Sequence, residues 1–457
     1  MSPRPERLTV RPLTLGDDLE PDLDLSHRAF GPFGGAERER RLASTRLSVA
    51  AGAHLGVFDG GTQVASGRYL DLRQWWHGRA LPMAGVAGVK VAPHEQGRGL
   101  GRAMMTEMLR QMAARGYPLS ALFPATAPLY RSLGWELAGG RYEAMMPARS
   151  LRALLRPDPA VEPDAALGDA PAGAPAGAPA GAPAGAQAGA QAAAQAAAQG
   201  VAPAAVGPGS AGLSPGPGGA GSVFRPAGPA DAVEVIAVLS ALHAAGSGCG
   251  PVTFDAPQLA TMLSDDVYLY LAPDGVLGYR WNTAADQMLV YWAAAGSAAT
   301  TRALWSIVSS HGTIVNGVRA VVSPHDAVTW LTAEPDVTLA RAEQWMLRLL
   351  DAPAAMAGRG FPAGASLSLP LAVADPQLPG NSGDWRLEVS GGTAALTPAR
   401  TGSDAPLRLG ARGLAALYAG TPLATLRLAG LAAGGTPDAD AALDAAFAAT
   451  PYMTDSF

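Results

Sequence analysis

Lysine is almost missing from this 457-residue sequence: Lys90 stands alone, and the other 32 basic residues are arginines. Cysteine is as scarce, with Cys249 alone, aromatic residues make up 6% and charged residues 16%. Each scarcity removes a class of chemistry. A Walker-type phosphate loop needs Gly-Lys followed by Ser or Thr, whereas Lys90 lies between Val89 and Val91. A Schiff-base mechanism would have to use Lys90 itself. One cysteine permits neither an intramolecular disulfide nor a Cys-rich zinc site. The histidines, at 27, 54, 77, 94, 243, 311 and 325, never fall at H-x-x-x-H spacing, so no metal is expected. A net charge of −5 argues against a nucleic-acid partner. The run MSPRPERLTVRPLT has no apolar leader core, and no apolar run reaches spanning length, so the reading is no membrane partner and a cytoplasmic location.

Glycine and proline are plentiful instead, with 56 and 39 residues, and they cluster. The 66 residues 157–222 hold 14 glycines, 11 prolines and no aromatic. Pro171, Pro175, Pro179 and Pro183 each open a P-A-G-A unit, and Gln187, Gln191 and Gln195 keep the register. Such a stretch cannot bury enough apolar surface to offset its ordering entropy, so a disordered linker is expected.

The flanks echo each other. V10-R-P-L-T-L-G-D-D18 and F224-R-P-A-G-P-A-D-A232 both lead from a strand into a helical run. Both continue into a hairpin, one about Asp59-Gly60 and one about Asp274-Gly275, and Asp-Gly between alternating strands is a strong turn signal. Both then carry a strand and a helix, closing at Arg115-Gly116 and His311-Gly312. The order β-α-β-β-β-α-β therefore occurs twice. Beyond Gly358, short strands at Leu367–Val373, Trp385–Val389 and Thr393–Leu396 and helices after Leu407 and Ala439 make an α+β piece.

The most informative stretch is V86-A-G-V-K-V-A-P-H-E-Q-G-R-G-L-G-R-A-M-M105. A strand over Val86–Ala92 meets Pro93, a glycine-rich turn follows, and then comes a helix with Met104, Met105, Met108, Leu109 and Met112 on one face. The unpaired N–H groups at its start, with Arg98 and Arg102 beside them, suit a pyrophosphate. A dinucleotide fingerprint fails, because its third glycine would stand where Arg102 is. A purely structural turn stays open. The remaining reading is Q/R-x-x-G-x-G/A, met by Gln96, Gly99 and Gly101, which resembles the pyrophosphate signature of the GNAT N-acetyltransferase superfamily. A following strand, Leu119–Phe123, and the run Leu129-Tyr-Arg-Ser-Leu-Gly-Trp135 fit the same resemblance.

Together with the run Ala127–Trp135 and the terminal Phe457, a first acetyltransferase domain, a second without the signature and a sterol-carrier-like third resemble the Eis (enhanced intracellular survival) family of actinobacterial aminoglycoside N-acetyltransferases. The fold implied is α/β and α+β: two tandem GNAT-type domains, the second degenerate, then a sterol-carrier-like α+β domain. The divisions drawn are 1–156, linker 157–222, 223–357 and 358–457. The resemblance implies acetyl-CoA as co-substrate, lined by Val89, Lys90 and Val91, with its pyrophosphate on Gly97, Arg98, Gly99, Leu100, Gly101 and Arg102, and Ala125 and Thr126 beside the pantetheine arm. It also implies Tyr130 as general acid, the Phe457 carboxylate as general base, a small-molecule amine as partner and a homo-oligomer, commonly a hexamer. Relatives tend to carry consecutive arginines where this chain has Gln96-Gly97-Arg98. The second repeat, with AAAGSAATTRA at the corresponding place, is expected to bind no CoA.

From the residues alone, Tyr130 is equally a packed core tyrosine and Phe457 a frayed terminus. His94 and Glu95 are rival bases, but adjoin the pyrophosphate turn. For a cationic acceptor the candidates are Asp17, Asp18, Asp22, Asp24, Trp75, Trp76 and Asp455. Lys90 is expected to face solvent or a phosphate, and Cys249 to be a loop residue. Two other functions stay open: acetylation of protein or peptide amines, and lipid binding by the third domain.

Overall fold

The computed structural model describes residues 8–155, 224–263, 267–332, 334–399 and 406–457. The linker 157–222 lies outside the described residues. The first repeat runs β1 (Leu8–Pro12), α1 (Glu20–Phe30), α2 (Gly35–Ala50), β2 (His54–Asp59), β3 (Thr62–Trp76), β4 (Arg79–Val91), α3 (Leu100–Ala114), β5 (Leu119–Leu122), α4 (Ala127–Arg131) and β6 (Glu136–Pro147). The second runs β7 (Arg225–Ala227), α5 (Ala232–Ala245), β8 (Cys249–Thr253), α6 (Ala256–Met262), β9 (Tyr268–Ala272), β10 (Gly275–Asn282), β11 (Gln287–Ala295), α7 (Ala298–Ser310), β12 (Gly317–Val322), α8 (Val328–Leu331) and β13 (Thr338–Leu349). Both Asp-Gly sites join paired antiparallel strands, β2–β3 and β9–β10.

The two repeats are not separate sheets. They share one thirteen-stranded sheet in the order β1-β2-β3-β4-β5-β13-β6-β12-β11-β10-β9-β7, with β8 attached to β3. The last strands of the repeats are exchanged. β13 inserts between β5 and β6, pairing Leu349 with Leu119 on one side and Ala340 with Glu143 on the other. β6 then meets β12, with Ala144 opposite Ala320. Cys249, expected in a loop, begins β8 and is buried opposite Trp76, because the strand gives its backbone a partner on β3.

The third piece begins with α9 (Ala352–Gly358), so the division drawn after 357 falls inside a helix. A second sheet follows, β16 (Thr393–Pro398), β15 (Gly383–Ser390), β14 (Leu367–Ala374), β17 (Leu407–Gly410) and β18 (Ala432–Ala433) in spatial order, packed with α10 (Ala411–Tyr418), α11 (Leu423–Leu428) and α12 (Pro437–Phe447). On β15, Trp385, Leu387 and Val389 are buried while the residues between them are exposed, as period-two alternation requires. Helix α3 does the same at helical spacing: Met104, Met105, Met108, Leu109 and Met112 all go into the core.

Candidate active site

β4 and β5 are parallel and pair only from Met83–Leu119 to Val86–Leu122. β5 ends at Leu122 while β4 continues to Val91, so Ala87–Val91 has no partner on the β5 side. The β3–β4 register slips between Ser66 and Arg68, and this bulge, with Gly88 at φ 60°, turns β4 away from β5. The result is an opening with bare backbone N–H and C=O groups along one wall. Val89 and Val91 send their side chains toward α3: an atom added at Gly67 would touch Val89, Met104 and Met108, and one added at Gly101 would touch Val91.

The signature turn lies at the top of this opening. Gly97 and Gly99 have φ 84° and 76°, in the left-handed region that L side chains avoid, and neither has an atom within 4 Å of where a Cβ would sit. α3 starts at Leu100 with no side chain capping it, so its first N–H groups stay open. Arg98 is paired with Glu95 and, at 3.1 Å, with Asp59, whereas Arg102 is exposed at the start of the helix. His94 is exposed, and Glu95 is occupied by Arg98. Ala125 and Thr126 are exposed between β5 and α4, and Leu129 of α4 lies 3.6 Å from the position of a Cβ on Gly101.

Tyr130 is buried in α4, its ring edge-on to Trp135 with centroids 6.5 Å apart. Its hydroxyl has no hydrogen-bond partner among the described residues, and burial pushes the phenol up to about 12, so it keeps its proton at neutral pH. Phe457 reaches the base of the same opening, where β4 and β5 are still paired, from the far end of the chain. Its ring stands edge-on to Phe123, just beyond β5, with centroids 5.7 Å apart. A Cβ on Gly85 of β4 would lie 2.8 Å from that ring. Glycine at 85 is therefore what lets the tail lie against β4.

Lys90 corrects an expectation. Its side chain faces neither solvent nor the phosphate turn but is buried, donating to Asp22 of α1 at 3.1 Å. Asp22 also accepts from Gln63 and Ser66 and contacts His54 Nε2 at 3.2 Å, while His54 Nδ1 meets Ser48. Burial works to raise the Asp22 carboxyl, but the His54 bond, the Lys90 charge and the Ser66 hydroxyl outweigh it and hold it well below the usual carboxylate range. Burial lowers both Lys90 and His54. The sequence carries no direct sign of this network beyond the single lysine's place on β4, the strand expected to line acetyl-CoA.

The acceptor candidates do not gather into one pocket. Asp17 pairs with Arg11, Asp24 with Arg28, and Asp18 accepts from the Glu20 backbone. Trp75 donates to Thr253, and Trp76 is fully buried against Tyr418 and the Arg359 guanidinium. Asp455 is buried against Trp292 of the second repeat.

In the second repeat β11 and β12 pair only from Gln287–Gly317 to Val290–Ala320 and then part, reproducing the opening. Its α7 is different at the start: the Ser297 side chain caps the Thr300 N–H, and Thr300 donates to Asp274. The N–H groups left bare at α3 are thus partly satisfied here by the chain itself. Among the described residues no group of three or more His, Cys, Asp or Glu could hold a metal ion, and no helix is long and apolar enough to cross a membrane.

Comparison with known proteins agrees with this geometry. Residues 9–138 and 259–349 each match an acetyltransferase (GNAT) domain, and residues 352–454 a sterol carrier protein domain. N-acetyltransferase Eis of Mycobacterium tuberculosis is 37% identical over 98 residues, which is 21% of this chain and 24% of that protein, so the match takes in about a quarter of the relative's length. The solved Eis1 of Mycobacterium abscessus shares the fold, with a TM-score of 0.67 at 21% identity over 98% of this chain and 100% of that one. A solved GCN5-related N-acetyltransferase from Kribbella flavida is 36% identical, covers 99% of both chains and superposes with a TM-score of 0.79. Identity at that level over the whole length, on a fold with a bare-glycine turn above a parted β4–β5 pair, places the chain in the GCN5-related N-acetyltransferase family.

Proposed function

We propose that this acetyltransferase uses acetyl-CoA to acetylate amines of aminoglycoside-like or polyamine acceptors, with Tyr130 as general acid and the Phe457 carboxylate as general base. The reaction joins an amine to the acetyl carbonyl, breaks the C–S bond and releases CoA thiol and an acetylated amine. Residues Val89, Lys90 and Val91 would line the thioester arm through their backbone, whose N–H groups can polarise the carbonyl and hold the oxyanion. The turn from Gly97 through Arg98, Gly99, Leu100 and Gly101 to Arg102 would take the pyrophosphate on backbone N–H groups and the exposed Arg102 side chain, with Ala125 and Thr126 on the opposite wall.

Tyr130 carries its proton, but a phenol near 12 is a weaker acid than a thiol near 8.5. It would therefore act by donating a hydrogen bond to the departing sulfur rather than by complete proton transfer. A terminal carboxylate is likewise too weak a base to deprotonate an ammonium outright, so it would orient the amine and pass its proton through water.

The observation that carries this reading is the position of Phe457, the last residue of the chain, against Gly85 and Phe123 beside the open edge of β4. The test is a short Gly-Ser extension after Phe457, assayed against kanamycin, spermidine and a lysine-containing peptide. Turnover should be lost with acetyl-CoA binding intact, and full activity of the extended chain refutes the carboxylate role. The acceptor series separates small amines from protein amines by mass spectrometry of the product. In this reading residues 1–156 carry the reaction, 223–357 is the degenerate repeat and 358–457 supplies the tail. The assembly is a homo-oligomer, hexameric by resemblance, in the cytoplasm.

A further inference from the structure

The tail that brings Phe457 to the first repeat is held by strands of both repeats. Between Pro451 and Asp455 it runs along the seam of the exchanged strands. Tyr452 donates its backbone N–H to Cys249 of β8 at 2.9 Å, Met453 to Gly140 of β6 at 3.0 Å, and Gly140 returns a bond to Pro451. The Met453 side chain is fully buried, and Arg141 donates to the Thr454 carbonyl. The last attachment is Asp455, whose carboxylate accepts from the Trp292 indole at 2.9 Å and from Thr454 at 3.1 Å. Ser456 is exposed and without a partner among the described residues.

Trp292 lies on β11 just past the last residue paired with β12, in the opening that corresponds to the cofactor opening of the first repeat. There a cavity of about 290 Å³ is lined in part by Trp292 on one side and by Tyr452, Thr454 and Asp455 of the tail on the other. Phe457 follows Asp455 by two residues, so this attachment confines the Phe457 Cα to within about 7 Å of the Asp455 Cα. Freed at Asp455, the tail would be tethered only from Thr454 and Met453, and the Phe457 ring would have to hold the position alone.

We propose that Trp292 is a positioning residue for acetyl transfer: its indole N–H clasps Asp455 and so fixes the reach of the Phe457 carboxylate into the opening of the first repeat. The inference rests on the reading of that carboxylate as the group that handles the amine. It gives the degenerate repeat a task in the reaction, because the cleft that lacks the cofactor signature is the one that holds the tail. Burial of Asp455 is consistent with the clasp. It pushes the carboxyl up to about 6, against the opposing Trp292 and Thr454 bonds and the Arg141 charge, and leaves the anion dependent on the donors it has.

The test compares Trp292→Phe, which keeps a ring and removes the donor, with Asp455→Asn, whose side-chain carbonyl can still accept from the indole. Carboxypeptidase A, which removes C-terminal aromatic residues, reports on the tail without any acceptor. Loss of a hydrogen bond to a charged group should speed release of Phe457 from Trp292→Phe about tenfold or more, with Asp455→Asn close to the native chain. With kanamycin and acetyl-CoA, kcat of Trp292→Phe should fall by a similar factor at unchanged KM for acetyl-CoA, and thermal melting identifies any general loss of fold. Equal release from native and Trp292→Phe proteins overturns the proposal, as does faster release with full kcat. If instead the chain extended beyond Phe457 stays active, the carboxylate reading fails, whereas loss of turnover on extension with native behaviour of Trp292→Phe removes the clasp alone.

Discussion

Replacing Lys90 by methionine separates a structural role from a cofactor-binding one. Lys90 is 6% exposed and Asp22 1% exposed, with Nζ and Oδ2 3.1 Å apart. At an effective dielectric constant of about 20, charges at that separation attract by about 5 kcal/mol, and desolvation of both groups cancels much of this in the intact pair. Removing one partner is different, because Asp22 is left as a buried anion hydrogen-bonded only by neutral donors and His54, with the Arg68 charge nearby but making no hydrogen bond to it among the described residues. We expect Lys90→Met to cost about 3–5 kcal/mol, a fall in melting temperature of roughly 10 °C for a unit of this size. The sign with pH follows from the carboxylate. Its folded value lies below the unfolded one, so its contribution is present above pH ~4 and lost as the pH falls through the folded value. In the variant that contribution is missing at neutral pH, and the gap between native and variant proteins should close on acidification. The double variant Lys90→Met/Asp22→Asn removes the stranded charge and should recover at least half of the loss. The assays are thermal melting from pH 2 to 8, with the gap constant above pH ~4 and closing only below it, and acetyl-CoA titration by calorimetry. An unchanged melting temperature refutes the reasoning. So does a well-folded variant that has lost acetyl-CoA affinity tenfold, since the side chain points to α1 and not into the opening.

Three other outcomes test the site. Tyr130→Phe deletes a hydroxyl with no partner among the described residues, so stability should hold within about 0.5 kcal/mol while kcat falls about a hundredfold, read by steady-state CoA release. Gly99→Val forces a β-branched residue to φ 76° where no neighbour would clash; it should raise KM for acetyl-CoA about tenfold and leave kcat at saturation near native. A fragment ending at residue 156 lacks β13 and exposes edges of both β5 and β6, so it should be insoluble or unfolded by circular dichroism, and a soluble, active fragment would show that the exchange is dispensable.

Local patterns were legible where one residue decides one conformation or one face. The methionines of α3, the Asp-Gly hairpins and the alternation on β15 all appear in the structure as the periodicity implies. Gly97 and Gly99 of the turn before α3 stood out because left-handed backbone at a helix start favours no other residue. Partner choice was not legible. Period-two alternation tells which face of β6 or β13 is buried but not which strand lies beside it, so the exchange could not be seen. Burial of charge was equally hidden: nothing in 32 arginines marks Arg348, fully buried on Asp375 at 2.6 Å, or Arg359 among Trp76, Phe361, Tyr418 and Phe447. Trp76 and Asp22 have the residue types of a cation pocket, but they are occupied within the protein, because a long-range partner satisfies each of them.

The exchange of strands bears directly on why a repeat without a cofactor turn is kept. β5 bounds the opening in which acetyl-CoA would lie, and on its other edge it has only β13, a strand of the second repeat. The angle at which β4 and β5 part is therefore set by both repeats together. The tail reaches that opening along β6 and β8, strands that belong to the seam, before its Asp455 meets Trp292. Phe457 is held by this path, by the contacts of its ring with Gly85 and Phe123, and by packing against the core. A chain that lost the second repeat would lose the strand that supports β5 at the β4–β5 opening and part of the track along which the tail runs. On the proposed reading the first site depends on the second repeat's strands and on Trp292, while the second repeat's own helix start is closed by Ser297 and Thr300.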